Sequence, residues 1–400
     1  INDAHCKSYD NMCLDQLVCE AAFDYYENTI DLVLNSRFQD TIPYTVQYNE
    51  TSYQFIQRLA MRYGEWLYND GEKLVFGAIP EGETINLSYP SKDIPSYHVE
   101  LSLKHSRIFH TVSSYNSKRW HADDCDYDMS EVYNDLNEKV YQASLERSLT
   151  NTLKHIQSGG WADIDNTGTI LSISTKTEGR GTKSQMLLYS GKTFCSKVKI
   201  GNRLNIEDSI ISNDQSNSKS KVNQEEVLIT KAVHFFSSDE TYYNHFEGIP
   251  SKCDTPPFAN SDVFPKAKSC RAKVKDNKDP NHLGRIRVQF DWQDITPNEG
   301  RDPLWTPWIR IVQPYSGEGK GFSFIPEIDE EVMVDFEGGN AERPYVNGAL
   351  FNGIDLPDEK WLPTEELDNH VKAIRTRNGH TIEIHDKKKG GYIKIYDHKK

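Results

Sequence analysis

The chain has 400 residues, of which 36% are hydrophobic and 11% aromatic, enough to bury several cores. This length excludes a single small domain and predicts two to four domains. The formal net charge of −14 argues against a general binder of nucleic acid or of anionic membranes, because both need a broad basic surface.

The seven cysteines are scattered along the chain. Cys6, Cys13 and Cys19 are too widely spaced for a zinc knuckle, whose paired cysteines stand about two to four residues apart. We interpret the cysteines as reduced thiols in a cytosolic environment and predict no metal site. No apolar run in this sequence reaches membrane-spanning length and none is expected to be a signal peptide, although in a fragment missing targeting signals carry little weight. We expect an N-terminally truncated fragment, because the chain starts at Ile1 and ends in repeat-like sequence.

Residues 1–260 alternate strand-like runs with a few helical ones. Residues 51–64 predict a helix, because Thr51 and Gln54 form a capping box and apolar residues recur every three to four positions. A hairpin should follow over 66–76, since Asn69-Asp70-Gly71 separates two apolar runs. A looser apolar stripe predicts a second helix over about 132–157.

Residues 121–128, HADDCDYD, gather one histidine, four aspartates and one cysteine. Oxygen ligands of this kind suit a divalent cation. An acidic loop before a helix is the commoner meaning of such a run, and we adopt it. The carboxylates lack a partner motif that marks an acid and base pair, so we predict no catalytic residue and no cofactor.

Residues 268–352 have the pattern of a small β-domain. LGRIRVQFDW, residues 283–292, alternates strictly, which places Ile286, Val288, Phe290 and Trp292 on an apolar face and Arg285 and Arg287 on a polar one. Further short strands are predicted at 308–312, 322–325, 331–336 and 345–351. About five short antiparallel strands of this kind favour a closed barrel of the OB type.

Three glycines, Gly317, Gly319 and Gly321, surround Lys320 in the middle of this region. A phosphate-binding Walker loop needs a Ser or Thr after its Gly-Lys pair and then a helix. Here Lys320 is followed by Gly321 and a strand-like run, so we predict a tight connection between strands.

Residues 353–370 are predicted to be a linker that is too short for a catalytic domain. In residues 371–400, TIEIHD (381–386) and YIKIYD (392–397) repeat at a spacing of eleven. The repeat aligns Ile382 with Ile393 and Ile384 with Ile395, with charges between them. Stacked strands need this alternation of branched apolar and charged residues. Because two repeats are too few to be stable alone, we expect further repeats or other chains. His380 and His385 should face opposite sides, so they cannot share a metal.

The region from about residue 240 onward resembles the VgrG spike family of bacterial type VI secretion systems and its relatives in phage tails, and NHFEGIP (244–250) in it resembles the end of the family's hub. Residues 42–68 resemble the hub more weakly. Asp329 departs from the family, which usually has glycine there. The matching positions in the barrel are Gly284, Arg285, Phe290, Trp292, Trp308, Arg310, Gly319, Pro326, Glu331, Val332, Val334, Phe336, Pro344, Gly348 and Asn352.

The resemblance implies a mainly β multidomain protein with some helix that acts mechanically. A β-barrel hub (1–260) would form a pseudo-sixfold ring on the Hcp tube, the OB-like five-stranded barrel (268–352) would form the neck, and residues 371–400 would start an intertwined trimeric β-helix. Ile382, Ile384, Ile393 and Ile395 would form the core of this triangular needle. Implied partners are two further copies, baseplate components, a PAAR-type tip protein and effectors. The protein would be cytoplasmic until it is secreted or injected.

Other hypotheses remain open. Within the same class, the chain could be the hub-spike of a phage tail or of an extracellular injection system. From another class, it could be a carbohydrate-binding or enzymatic multidomain β-protein, and an effector enzyme fused beyond Lys400 is not excluded. OB barrels often bind single-stranded nucleic acid through a basic groove with aromatic side chains. Here Phe290 and Trp292 are predicted in the core and acidic residues offset Arg285 and Arg287, so we predict no nucleic-acid partner.

Overall fold

The computed structural model contains two compact units, and each is built from three segments that are separate in the sequence. The first unit comprises Ile1–Ser269, Trp292–Pro307 and Asp335–Tyr345, and the second comprises Cys270–Asp291, Trp308–Val334 and Val346–Lys400. Segments 292–307 and 335–345 therefore belong to the first unit although they lie inside the predicted barrel region. The structure describes residues 3–26, 31–77, 79, 82–104, 108–113, 119–123, 136–148, 152–155, 161, 167–208, 222–223, 226–238, 241–293, 304–365 and 368–398.

The first unit carries the helices and most of the strands. Its helices are α1 (Leu14–Tyr26), α2 (Ser52–Tyr63), α3 (Leu136–Arg147) and α4 (Thr167–Ser184). Its strands are β1 (His5–Met12), β2 (Asp31–Asn35), β3 (Ile42–Glu50), β4 (Trp66–Asn69), β5 (Lys73–Gly77), β6 (Thr84–Tyr89), β7 (Ser96–Leu101), β8 (Ile108–Ser113), β9 (Arg119–Asp123), β10 (Thr152–His155), β11 (Leu187–Thr193), β12 (Arg203–Asp208), β13 (Val222–Asn223), β14 (Val227–Phe236) and β15 (Tyr242–Pro250).

The largest sheet of the first unit has the order β13-β12-β14-β15-β11-β7, with β6 also paired to β12. Smaller sheets are β1-β3, β2-β5-β4 and β10-β8-β9. Strand β1 and helices α1 and α2 enclose a separate apolar core, in which the rings of Tyr9 and Phe55 stack with their centroids 5.2 Å apart. The mainly β architecture with some helix is confirmed.

Helix α2 and the hairpin after it form as the sequence predicts. The Thr51 hydroxyl accepts from the Gln54 amide, and the Gln54 side chain accepts from the Thr51 amide, which completes the capping box. Gly64 ends the helix in the left-handed conformation. Strands β4 and β5 then pair antiparallel across the turn at Asn69–Glu72. Local capping and turn chemistry therefore determine this part of the fold.

The predicted helix over 132–157 is wrong in its last part. Helix α3 covers only Leu136–Arg147, and Thr152–His155 forms β10, which pairs in parallel with β8. A ladder partner distant in sequence supplies the hydrogen bonds there, and the apolar stripe alone does not reveal it. Helix α4 was not predicted, because its run of Thr, Ser and Gly has low helix propensity. In the acidic run, residues 121–123 end β9, while 124–128 lie outside the described residues.

The second unit contains a small barrel. Its strands are β16 (Cys270–Asp276), β17 (Arg287–Phe290), β18 (Ser316–Gly317), β19 (Lys320–Gly321), β20 (Glu331–Phe336), β21 (Pro344–Ala349), β22 (Val371–Arg375), β23 (Thr381–His385) and β24 (Tyr392–Tyr396), although β20 ends and β21 begins in the first unit. The order β17-β16-β20-β21 forms one sheet. Residues 309–311 bridge Val346 of β21 to Ile286 beside β17, which closes the ring. The five-segment barrel is therefore confirmed.

Two details of the predicted strands differ from the structure. Residues 308–312 make only isolated bridges, and 322–325 form no ladder. Strand β16 was not predicted, because its sequence CRAKVKD is rich in lysine and arginine. The glycine-rich stretch is a hairpin of β18 and β19, as predicted. Asp329, where the resemblance leads us to expect glycine, adopts a φ of 69°, the left-handed conformation that glycine favours.

Arg285 is not on an exposed polar face, which corrects the strand prediction. Its side chain is 2% exposed and donates two hydrogen bonds of 2.9 Å to the carboxylate of Asp279. The ladder begins only at Arg287, so the alternation does not extend to Arg285. The hydrogen bonds from Arg285 lower the pKa of the Asp279 carboxyl to about 2, although burial acts in the opposite direction.

The Asp279→Asn variant should destabilise the chain by about 3–5 kcal/mol at neutral pH, because the Arg285 cation stays buried without its partner. A carboxyl whose pKa is lowered on folding stabilises the protein above its ordinary pKa of 3.8, and this stabilisation is lost as the pH falls toward about 2. The difference from the unsubstituted chain should therefore shrink in acid. The midpoints of urea unfolding of both chains, measured at several pH values from 7 to 3, test this change in the stability difference.

Asp329→Asn is the matched control, since Asp329 is 71% exposed and pairs with Lys275 at the surface. It should cost less than about 1 kcal/mol. Equal midpoints for the two variants at pH 7 would contradict the assignment of the buried pair.

Candidate functional site

Strands β22, β23 and β24 form an antiparallel sheet with isoleucines aligned across it. Ile382 lies opposite both Ile374 and Ile395, and Ile384 lies opposite Ile393. Directly opposed residues share one face of a sheet, and so do residues two positions apart. We call this the isoleucine face: Ile374, Ile382, Ile384, Ile393 and Ile395.

The isoleucine face is exposed in the single chain. Its side chains range from 38% exposed at Ile382 to 74% at Ile395. An isolated exposed apolar residue is ordinary, but a contiguous branched apolar face on a sheet marks a surface that another element covers. Ile374 was not among the predicted needle residues, and the alternation of VKAIR does not reveal it, because Ile374 shares its face with Lys372 and not with Val371 or Ala373.

The opposite face of the same sheet carries polar side chains, and part of it is covered. Thr381 is 2% exposed, and the Glu383 carboxylate accepts hydrogen bonds from the Tyr396 hydroxyl at 2.9 Å and the Trp361 indole at 3.4 Å. Burial raises the pKa of Glu383, but the hydrogen bonds from Tyr396, His385 and Trp361 outweigh it and lower the pKa.

The predicted linker, residues 353–370, supplies this cover. The Arg375 guanidinium lies 4.4 Å from the centroid of the Trp361 ring and donates to Asp358. A short 3-10 helix at Glu359–Trp361 holds the indole in place. The chain itself therefore covers the region around Glu383, while the isoleucine face stays exposed.

His380 and His385 of the C-terminal strand region make separate contacts. His385 stacks on Tyr392 with 4.2 Å between ring centroids, while His380 lies 5.2 Å from His398. No group of three metal-ligating side chains occurs among the described residues.

The predicted barrel residues take different positions. Phe290, Val332 and Val334 are buried in the barrel, and Gly284 has a φ of 70°. Trp292 and Phe336 belong to the first unit, where their rings lie 6.3 Å and 6.5 Å from the Tyr48 ring. Trp308 and Pro326 are half-buried. The structural role of these residues in the barrel stays a prediction.

A buried charge cluster in the first unit was missed at the sequence level. Glu342, in the connection between β20 and β21, is 0% exposed. Its carboxylate accepts from Arg62 at 2.7 Å, from Arg58 at 3.1 Å and from the Thr45 hydroxyl at 2.6 Å. Arg58 also pairs with Glu50 at 2.8 Å. The signal was the i, i+4 spacing of Arg58 and Arg62 on α2, a helix whose apolar face is buried.

The charges in this cluster compensate one another. Burial raises the pKa of Glu342, but Arg62, Arg58 and the hydrogen bond from Thr45 outweigh it and keep the pKa below its ordinary value. Burial lowers the pKa of Arg58, and Glu342 and Glu50 overcome that effect and raise it. The cluster therefore stays ionised and holds the β20–β21 connection against α2 and β3.

Two models of known protein families match this chain, one after the other. Residues 3–239 match the phage tail baseplate hub (GPD) family, and residues 270–351 match the type VI secretion system/phage-baseplate injector OB domain. The combination of hub and OB domain defines a protein of contractile injection machines. Because the hub model covers more than half of the chain, this protein belongs to the phage tail baseplate hub family.

The proteins with similar sequences include type VI spike proteins and a protein named as a toxin. The type VI secretion system spike protein VgrG2a of Pseudomonas aeruginosa is 39% identical over 87 residues, covering 20% of this chain and 10% of that protein. The actin cross-linking toxin VgrG1 of Vibrio cholerae is 28% identical over 116 residues, covering 29% of this chain and 10% of the toxin. The matches thus span about a tenth of these relatives.

One solved structure shares the fold over most of the chain. The E. coli c3393 protein, a component of the type VI secretion system similar in structure to the T4 bacteriophage tail proteins gp27 and gp5, has a TM-score of 0.52 and 17% identity. The match covers 87% of this chain and 74% of that chain. None of the helices in the described ranges combines the length and the apolar character needed to cross a membrane.

The Glu342→Gln variant should lower the free energy of unfolding by about 3–5 kcal/mol, because two buried arginines lose their shared counter-charge. Guanidinium unfolding measures the loss. The control is Glu247→Gln, since Glu247 is 57% exposed and pairs with Lys231. That variant should cost less than about 1 kcal/mol, and a Glu342 variant as stable as this control would refute a structural role for the cluster.

Proposed function

We propose that this protein is a structural spike of a contractile injection machine, of the type VI secretion branch. The observation that carries the proposal is the exposed isoleucine face, which follows an OB barrel in a chain of the baseplate hub family. A sheet that covers its polar face and exposes its apolar face needs other chains. Relatives named as type VI spike proteins support this branch.

Three copies would wind together through their isoleucine faces. Burying each branched side chain between copies contributes about 1.5–3 kcal/mol relative to leaving it in water. Pairing between chains also removes free strand edges, which otherwise promote aggregation. Each stacked layer repeats the gain, so the shaft stiffens with length. A needle that crosses an envelope under load needs this stiffness, and its function would be mechanical rather than catalytic.

The remaining partners follow from the same role. The hub region would bind the Hcp tube at the base and contact baseplate components, and a PAAR-type tip protein and effectors would lie at or beyond the C-terminal strands. The protein would assemble in the cytoplasm of the producing bacterium and then be secreted or injected into a target cell, where it would puncture the envelope. These partners come from the resemblance to the spike family.

A second candidate is the hub-spike of a phage tail or of an extracellular injection system. The hub family model is named for phage tails, which favours it as the alternative. Both candidates share the trimer and differ in the tube and sheath that they meet. Binding of the purified chain to a type VI tube protein, compared with a phage tail tube protein, separates them.

The Ile384→Asp and Ile395→Asp variants should weaken trimer assembly while the hub stays folded. Each substitution replaces apolar burial with a carboxylate at the contact, so the cost should be at least about 1.5–3 kcal/mol per copy. Sedimentation equilibrium measures assembly, and the circular dichroism melt reports the hub.

Lys387→Asp is the control, because it adds the same carboxylate in the exposed turn between β23 and β24. This variant should still sediment with the mass of three chains. If both isoleucine variants sediment like the unsubstituted trimer, the isoleucine face is not the contact between copies.

A further inference from the structure

A groove crosses the largest sheet of the first unit, over the four neighbouring strands β14, β15, β11 and β7. Its volume is about 460 Å³. The strand register places two rows of side chains along this groove. The first row runs across all four strands and consists of Lys231, Glu247, Ser190 and His98. Every member of this row carries a hydrogen-bonding group, so the floor of the groove is polar.

The second row of the groove lies two residues away along each strand. It consists of Val233, His245, Lys192 and Ser96. Phe235 lines the groove next to this row, and its ring stacks on that of Tyr243 with 4.8 Å between the centroids. The Lys192 ammonium lies 4.0 Å from the centroid of the Tyr243 ring. Because Phe235 is 38% exposed, the groove has an aromatic wall beside its polar floor.

Basic side chains outnumber acidic ones in this groove. Its two rows carry two lysines and two histidines against the single carboxylate of Glu247. The whole chain has the opposite balance, with 60 acidic residues against 46 lysines and arginines. Glu247 is already paired, since its Oε1 lies 2.7 Å from the Lys231 ammonium. Within the described part of the chain, Lys192 contacts aromatic rings and forms no ion pair, so its ammonium can pair with a negative group of a ligand.

The carboxylate of Glu247 narrows the class of ligand. A carboxylate accepts hydrogen bonds and repels an anion, so its place in the polar row does not suit a bare phosphate or sulfate. A hydroxyl group suits this row, because it can donate to Glu247 and accept from the Lys231 ammonium. A sugar ring carries several hydroxyl groups and also an apolar C–H surface that can pack on an aromatic side chain such as Phe235.

We propose that the groove binds an acidic oligosaccharide, a chain of sugar units that carry carboxylate groups. One sugar ring packs on Phe235, its hydroxyl groups bond to the row around Glu247, and its carboxylate pairs with Lys192. Sites for small ligands combine an aromatic or apolar wall with a few convergent polar groups, as this groove does. The groove lies within the first unit, so the inference goes beyond the proposed function and does not depend on the assembly of three copies.

Isothermal titration calorimetry of the purified chain with trigalacturonic acid tests the inference. Galactotriose, its neutral counterpart, should bind at least about 10-fold more weakly, because it lacks the carboxylates. Lys192→Gln should weaken the binding of trigalacturonic acid at least about 10-fold for the same reason. Lys176→Gln is the matched control, since Lys176 is exposed on α4 and does not line the groove. It should leave the binding unchanged, and circular dichroism melts should show both variants folded.

A second variant separates a sugar ligand from a simple anion. Glu247→Gln should weaken the binding of trigalacturonic acid at least about 3-fold, because a sugar hydroxyl loses its charged acceptor. Tighter binding by this variant would indicate a simple anion site and overturn the inference. The inference also fails if trigalacturonic acid does not bind at millimolar concentrations, if both trisaccharides bind equally, or if the two lysine variants lose binding equally. A hexaglutamate peptide that binds more tightly than trigalacturonic acid would assign the groove to an acidic peptide and overturn it as well.

Discussion

In the β22–β24 sheet the isoleucine side chains are exposed, while Glu383 and Arg375 on the opposite face lie against Trp361. In water, a small sheet ordinarily buries its apolar face and exposes its charges. Here Trp361 and its neighbours cover the polar face, while the isoleucines face outward. Because Trp361 lies against Glu383 and Arg375, the chain covers this side of the sheet and leaves the isoleucine face exposed. The proposed assembly would cover that face with other copies.

The buried charge cluster anchors the connection between β20 and β21 to the hub region. Glu342 belongs to the part of the chain that matches the OB domain, yet its counter-charges come from α2 in the part that matches the hub family. The β20–β21 connection is anchored in the first unit by ionic hydrogen bonds in a dry environment, where breaking one partner is costly. Strands β20 and β21 continue from that anchor into the barrel.

Local signals allowed accurate prediction of several elements. The capping box at Thr51 and Gln54, the turn at Asn69–Glu72 and the alternation around Val288 depend on neighbours in sequence, and the structure confirms them. Parallel pairing of β10 with β8 and burial of Arg285 against Asp279 depend on partners that periodicity does not encode. Glu342 illustrates the same limit, because its partners lie about 280 residues away. The shared face of Ile382, Ile384, Ile393 and Ile395 follows from the repeat, since alternation is a local signal, while their place in a needle core stays a prediction.

The most direct test is the mass of the purified, unsubstituted chain, measured by light scattering over a range of concentrations together with electron micrographs of its shape. The account predicts a particle of three chains with a tapering shaft. A compact particle of one chain at every concentration, with the C-terminal strands folded against its own body, would contradict it.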